Sequence, residues 1–138
     1  MKTAGTSEQS AADSEIIARL DGGWHLVTIE QPDAKGAVKT ARVDGLLVCT
    51  RDGYMAIQVR NLEPGHVDSA YSSGGYEASF GKITLDSANS IFIYRVEGAL
   101  VHELVGQDFP RAYSFVNDQL ILTSTQDDEK WRVIWRRG

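Results

Sequence analysis

At 138 residues the chain has room for one domain with a sizeable core, and 42% apolar against 24% charged residues is the balance of a soluble globular protein. A net charge of −5 argues against nucleic acid or an anionic membrane as partner. Cys49 is the only cysteine, which excludes an intramolecular disulfide and fits a reduced, cytoplasmic setting. It stands in an apolar run and reads as a small buried hydrophobe. His25, His66 and His102 show no ligand spacing, and no P-loop, Rossmann fingerprint or Ser–His–Asp order is present, so neither metal nor cofactor is expected.

In chain order, Met1 to Glu8 has no apolar run of the kind a signal peptide needs, and no spanning segment follows. Residues 1–9 are expected to be a mobile tail and 10–138 the folded domain. Ser10-Ala-Ala-Asp13 has the form of a capping box, Ile16, Ile17 and Leu20 share a helical face, and Asp21-Gly22 ends the helix. So short a helix needs something to dock on, and one end of a barrel is the natural place.

From Trp24 the pattern turns to strands. Trp24 to Glu30 is the first, and Gln31 to Thr40, with Pro32 and Gly36, reads as a loop. Leu46 to Thr50 and Tyr54 to Arg60 flank the turn Arg51-Asp52-Gly53 and form a hairpin. Asn61 to Ser73 is irregular, either a lid over a barrel mouth or a solvated connection. Tyr76 to Leu85, Ile91 to Glu97, Arg111 to Val116, Gln119 to Ser124 and Lys130 to Arg137 complete the set, with a kink expected at Gly81 and a tight turn at Asn117-Asp118. No second helix is long enough to cross over a parallel pair. The expected fold is all-β, an eight-stranded antiparallel up-and-down barrel whose first and last strands meet and whose N-terminal helix closes one end.

Period-two alternation then predicts the interior. It should contain Leu47, Cys49, Met55, Ile57 and Val59 from the hairpin, and Trp24, Leu26, Thr28 and Glu30 from the first strand. Tyr76, Ala78 and Phe80 are expected inward from the fourth strand, and Phe92, Tyr94 and Val96 from the fifth. Arg111, Tyr113 and Phe115, then Leu120, Leu122 and Ser124, then Trp131, Val133 and Trp135 follow. A mostly aromatic and aliphatic wall with a few polar groups is the make-up of a small-molecule pocket. Arg111, if inward, needs partners: Glu30, the phenols of Tyr94 and Tyr113, or an anionic ligand. A buttressing Arg111–Glu30 pair and an Arg111 that snorkels to the rim are the alternatives. His102 is expected at the surface. Leu46, Val48 and Tyr54 face outward, an apolar patch on which a homodimer would form.

Leu20-Asp-Gly-Gly-Trp-His-Leu-Val27, Gly45 through Met55, Ser79-Phe-Gly-Lys82, Arg95-Val-Glu-Gly98, Gly106 with Arg111, Leu120-Ile-Leu-Thr123 and Trp135-Arg-Arg137 occur in an informative order. On these stretches the chain resembles the lipocalin-like domain family of bacterial and fungal proteins, short barrels of the calycin group. The resemblance runs from Leu20 to Arg137. It implies a pocket more than a reaction, and it implies that Arg137 covers Trp24 as a structural contact. Where the family often carries a histidine in the fifth strand, this chain reads Phe92-Ile93-Tyr94, so an imidazole's role does not transfer to Tyr94.

Two functions follow from such a pocket. One is a cofactor-free cyclase or isomerase of specialised metabolism, acting on a polyketide or terpenoid intermediate, with Arg111, Tyr94 and Tyr113 as catalytic candidates. Trp24, Leu26, Glu30, Met55, Tyr76, Phe80, Phe92, Phe115, Trp131 and Trp135 would contact the substrate. The other is a non-catalytic carrier or sensor of a hydrophobic ligand. A barrel filled by its own side chains would do neither.

Overall fold

The computed structural model describes the backbone of residues 3–32 and 38–138, and the side chains of residues 11–31 and 42–138. Among the described residues one α-helix, α1 (Thr3–Leu20), precedes nine strands: β1 (Gly22–Pro32), β2 (Val38–Ala41), β3 (Val43–Cys49), β4 (Tyr54–Asn61), β5 (Tyr76–Asp86), β6 (Ile91–Ala99), β7 (Asp108–Val116), β8 (Gln119–Ser124) and β9 (Arg132–Arg137). Every pairing is antiparallel, and β1 bonds to β9, closing an eight-stranded barrel from β1 and β3 to β9. The expected architecture is therefore the observed one.

The ninth strand is the addition. β2 pairs only with the far half of β1, at Ile29 to Pro32. It falls in the stretch expected to be a loop, whose residues 33–37 lie outside the described residues. β2 and β3 are one strand interrupted at Arg42. The Arg42 N–H donates to Glu63 Oε1 at 3.1 Å, and its carbonyl accepts from Leu62 N–H at 2.8 Å. The helix also starts earlier than expected, at Thr3 rather than Ser10, so Ser10 and Asp13 lie within it and not at a cap. No proline interrupts that stretch, and a docked C-terminal half lets the helix propagate backwards.

The closed end is built from both ends of the chain. Ile16, Ile17 and Leu20 pack against the core, and the Trp24 indole N–H donates to the Leu20 carbonyl at 2.9 Å. The Arg137 guanidinium lies 3.9 Å from the Trp24 ring and donates to the carbonyls of Arg19 and Asp21. Those carbonyls belong to a helix end that has no further intrahelical donors, so one arginine closes the barrel seam and caps the helix together. Arg19 in turn lies 4.0 Å over the Phe115 ring. Cys49 is buried, and burial pushes its thiol up to about 12, so it behaves as a hydrophobe.

Two strand irregularities decide which side chains face inward. In β1 the register with β9 slips between Leu26 and Thr28, so Val27 is a bulged residue, 42% exposed. Before it Trp24 and Leu26 point in. After it the alternation reverses, and Ile29 and Gln31 point in. Thr28 pairs with Ile134, and Glu30 turns outward to pair with Arg132 at 3.3 Å.

In β5 the alternation is opposite to the expected one. Met55 pairs with Gly81, Ile57 with Ser79 and Val59 with Glu77, and paired residues share a face. The inward set is Glu77, Ser79, Gly81 and Ile83. Tyr76 and Phe80 stand outside, 51% and 56% exposed. Phe80 covers Gly98 on the outer surface, where a Cβ would come 2.4 Å from its ring. Gly81 has a comparable constraint inside, since its Cβ would lie 1.9 Å from the Arg95 carbonyl oxygen. The expected kink there is a bulge, the β5–β6 register shifting between Phe80 and Gly81.

Candidate functional site: the barrel cavity

Above the closed end the barrel holds a cavity of about 360 Å³, within the range of small-molecule sites. Its apolar wall comes from alternate residues of the strands: Leu47 of β3, Met55, Ile57 and Val59 of β4, Phe92 and Val96 of β6, Leu122 of β8, and Val133 and Trp135 of β9. Leu104, from a short 3-10 turn after β6, completes it. The barrel is not filled by its own side chains.

The mouth is bordered by the connection between β4 and β5, through His66, Val67, Ser69, Tyr71, Ser72 and Gly75. This segment borders the mouth while residues 64–70 stay exposed, Val67 at 89%, and it is held by its own hydrogen bonds. The Asp68 carboxylate accepts from the Gly74 and Gly75 N–H groups at 2.8 and 2.9 Å, and these bonds hold its pKa below the usual carboxylate range. Both glycines have positive φ, +63° and +83°, which side-chain-bearing residues rarely adopt. The His66 ring lies against Gly75, with Nδ1 3.3 Å from the Glu63 carbonyl oxygen.

Polar groups interrupt this wall: Gln31, Asn61, Glu77, Ser79 and Glu129 line the cavity with Arg111 and Tyr94. Arg111 of β7 lines the cavity with its guanidinium carbon 4.8 Å from the Trp131 ring, 5.2 Å from Phe109 and 5.9 Å from Tyr71. One of its nitrogens donates to the Pro110 carbonyl at 3.1 Å. Among the described residues no carboxylate lies within ion-pair distance of it. The expected partner, Glu30, faces the other way and is taken by Arg132.

Tyr94 of β6 shares a hydrogen bond of 2.7 Å with the Ser79 hydroxyl, in which either oxygen can donate, and burial raises its phenol above the usual value, so it keeps its proton at neutral pH. Glu77 also lines the cavity. Burial pushes its carboxyl up to about 7, and only the Arg111 charge pulls it down. The Trp135 indole N–H, on a side chain 1% exposed, has no hydrogen-bond partner among the described residues.

Of the residues singled out from sequence, Met55, Phe92, Tyr94, Arg111, Trp131 and Trp135 meet around the cavity. Trp24, Leu26 and Phe115 point inward but pack in the core toward the helix, outside the cavity wall. Tyr113 is there too, stacked on Phe92 at 6.2 Å and edge-on to Phe115, away from Arg111 and Tyr94. Glu30, Tyr76 and Phe80 are on the outside. Glu77 and Ser79 are the polar wall residues that alternation assigned to the wrong face. The signal that finds them is the pairing of β5 with the apolar face of β4, not the composition of β5.

The lipocalin-like domain profile matches residues 21–138. The chain belongs to the lipocalin-like domain family. The match leaves only α1 outside, so the barrel alone carries the family pattern. No curated protein matches this lipocalin-like chain. Similar solved structures include the wild-type fluorescent protein UnaG, at 13% identity and a TM-score of 0.44, covering 88% of this chain and 99% of that one. Two UnaG variants are alike at 12% and 11% identity, with TM-scores of 0.44 and 0.45, each covering 88% of this chain and 98% of theirs. At that distance the likeness carries nothing about ligand or reaction. Among the described residues no helix of this lipocalin-like protein is long and apolar enough to cross a membrane, and no group of three His, Cys, Asp or Glu side chains is placed to hold a metal.

Proposed function

We propose that the barrel takes up a mostly apolar small molecule and, without a cofactor, isomerises or cyclises it, Arg111 and Tyr94 acting on one of its oxygen atoms. The observation that carries this reading is Arg111: a permanent cation on the cavity wall, boxed by three aromatic rings, with no carboxylate within 4 Å among the described residues, although Glu77 and Glu129 line the same cavity. A partly desolvated cation is costly without a counter-charge, and a carboxylate, enolate or strongly polarised carbonyl on the ligand supplies one. Tyr94 offers a second donor. An acceptor oxygen deeper in the ligand would give the Trp135 indole N–H the partner it lacks. The apolar wall fixes the shape of a flexible chain, and such positioning alone is worth up to about 7–11 kcal/mol in well-oriented reactions. Tyr113, at the closed end, has no part in this step.

A carrier would use the same wall and ask nothing of Arg111 beyond affinity. Melting-temperature shifts across a panel of lipophilic ketones and acids identify the ligand class. With a ligand in hand, Arg111→Ala and Tyr94→Phe should lower turnover more than they weaken binding. Equal losses in the two, or turnover at the solution background rate, leave a carrier.

Two further expectations belong to this reading. A cytoplasmic setting suits a chain whose single thiol is buried. The exposed outer face of Leu46, Val48, Tyr54, Tyr76 and Phe80 is where a second copy of the chain would dock. Sedimentation velocity checks the dimer, and a single species of monomer mass would remove it.

A further inference from the structure

We propose that Glu77 is the proton-transferring residue of this barrel, taking a proton from a carbon next to a carbonyl group and returning it elsewhere on the same molecule. The inference rests on the cavity reading above and adds the class of reaction and substrate: migration of a double bond in a mostly apolar β,γ-unsaturated ketone or ester.

The position of Glu77 is dictated by the sheet. Its pairing with Val59 puts it on the same face as the buried β4 side chains, in the cavity wall and toward the mouth. An inward carboxylate in an apolar barrel is unfavourable unless it is paired, yet Glu77 makes no ion pair within 4 Å among the described residues. Arg111 lines the same cavity and is likewise without a carboxylate at that distance. A structural ion pair would have brought the two together. A base and a cation held apart in one pocket leave room for a molecule between them.

The chemistry follows from that separation. The carbon–hydrogen bond breaks, and its proton passes to a Glu77 carboxylate oxygen. The electron pair moves into the adjoining carbonyl to give an enolate, whose oxygen accepts hydrogen bonds from Arg111 and Tyr94. Glu77 then gives the proton to the far carbon of the neighbouring double bond, and the carbonyl re-forms with the double bond shifted into conjugation. Nothing is oxidised or reduced. Burial brings the Glu77 carboxyl to about 7, which makes it a far better base than an ordinary carboxylate while half of it remains ionised at neutral pH.

Deuterium exchange of 2-tetralone in heavy water reads the abstraction half without the natural substrate. The whole chain should bind 2-tetralone, seen as a raised melting temperature, and exchange its α-hydrogens about 100-fold faster than buffer. Glu77→Gln should keep the melting shift and lose the acceleration, and Glu77→Asp should restore part of it. The rate should climb with pH to a plateau, with a midpoint near 7. Among the described residues, the other titratable and charged groups lining the cavity or acting on Tyr94 are Cys49, His66, Tyr71, Glu97, Arg111 and Glu129. An imidazole is the side chain that could be mistaken for this base, so His66→Gln should leave the profile in place. A melting shift without exchange, or exchange undiminished in Glu77→Gln, overturns the base and leaves the pocket standing. No melting shift with 2-tetralone or larger apolar ketones overturns both.

Discussion

Ligand-free Glu77→Gln is expected to be more stable than the parent protein at pH 8, and the size of the gain follows from where Glu77 sits. Burial raises its carboxyl from an ordinary 4.5 to about 7. At about 1.4 kcal/mol per pH unit, holding the ionised form inside the barrel costs up to about 3 kcal/mol. The sign is fixed by which state binds the proton. Below pH 4.5 both folded and unfolded chains are protonated and there is no penalty. Between pH 4.5 and 7 the unfolded chain ionises while the folded one keeps its proton, so stability falls as pH rises. Above 7 the penalty is complete and constant. An amide carries none of this. The difference in unfolding free energy between variant and parent should therefore grow by up to about 3 kcal/mol from pH 4 to pH 8, roughly 10 °C in melting temperature for a chain of this length. Urea titrations of both proteins at several pH values measure it, and titrations common to both cancel in the difference. Curves that stay parallel over that range would mean Glu77 is solvated in the folded protein, and the inward register of β5 would be wrong.

Other perturbations probe the frame around the cavity. Arg137→Ala should lower stability by about 2 kcal/mol, from the lost contact over Trp24 and the two helix-end carbonyls left without a donor, and Trp24→Ala by about 3–5 kcal/mol; thermal melts showing no change in either would remove the seam described at the closed end. Gly81→Ala should cost about 1–3 kcal/mol, because its methyl group meets the Arg95 carbonyl, and an unaltered denaturation midpoint would contradict the close β5–β6 approach. Asp68→Asn should speed hydrogen exchange at the Gly74 and Gly75 amides about tenfold. The parent should show the same loosening as pH falls through the depressed Asp68 value, since its tethers need the carboxylate; amides that exchange alike in both proteins would sink the tethering of this connection by Asp68.

Much of this barrel was legible in its sequence because its turns are well marked and several strands carry their bulkiest apolar side chains on one parity. In Tyr54–Arg60 the apolar residues Met55, Ile57 and Val59 fall on one parity, and the turn at Arg51-Asp52-Gly53 puts Leu47 and Cys49 on their side, although Leu46 and Val48 are apolar too. The same holds for Phe92, Tyr94 and Val96 and for the last three strands, so Arg111, Tyr94 and Trp135 were visible as wall residues. What misleads is a local event that alternation does not register. Val27 is as apolar as its neighbours, and nothing in Leu-Val-Thr-Ile marks it as the extra residue that turns Glu30 from the interior to Arg132.

In β5 the large rings of Tyr76 and Phe80 suggest burial, while Glu77 and Ser79 look like solvent residues. The reverse arrangement is stable because Gly98 leaves Phe80 a surface to cover, and because Gly81 lets β6 come close where a side chain would not fit. Both glycines were in plain view, but what they accommodate depends on strands more than ten residues away. A carboxylate that breaks the polarity pattern inside a barrel is itself a signal, since folding stability alone would select against it.

The central claim, an open cavity in which Arg111 meets an anionic or polarised oxygen of an apolar ligand, is tested most directly by titrating the protein with 1-anilinonaphthalene-8-sulfonate. Saturable one-to-one binding is expected, at least about tenfold weaker in Arg111→Ala, and abolished in a folded Ile57→Trp variant whose larger ring fills the space. Binding of equal strength in all three proteins, or none in the parent, would contradict it.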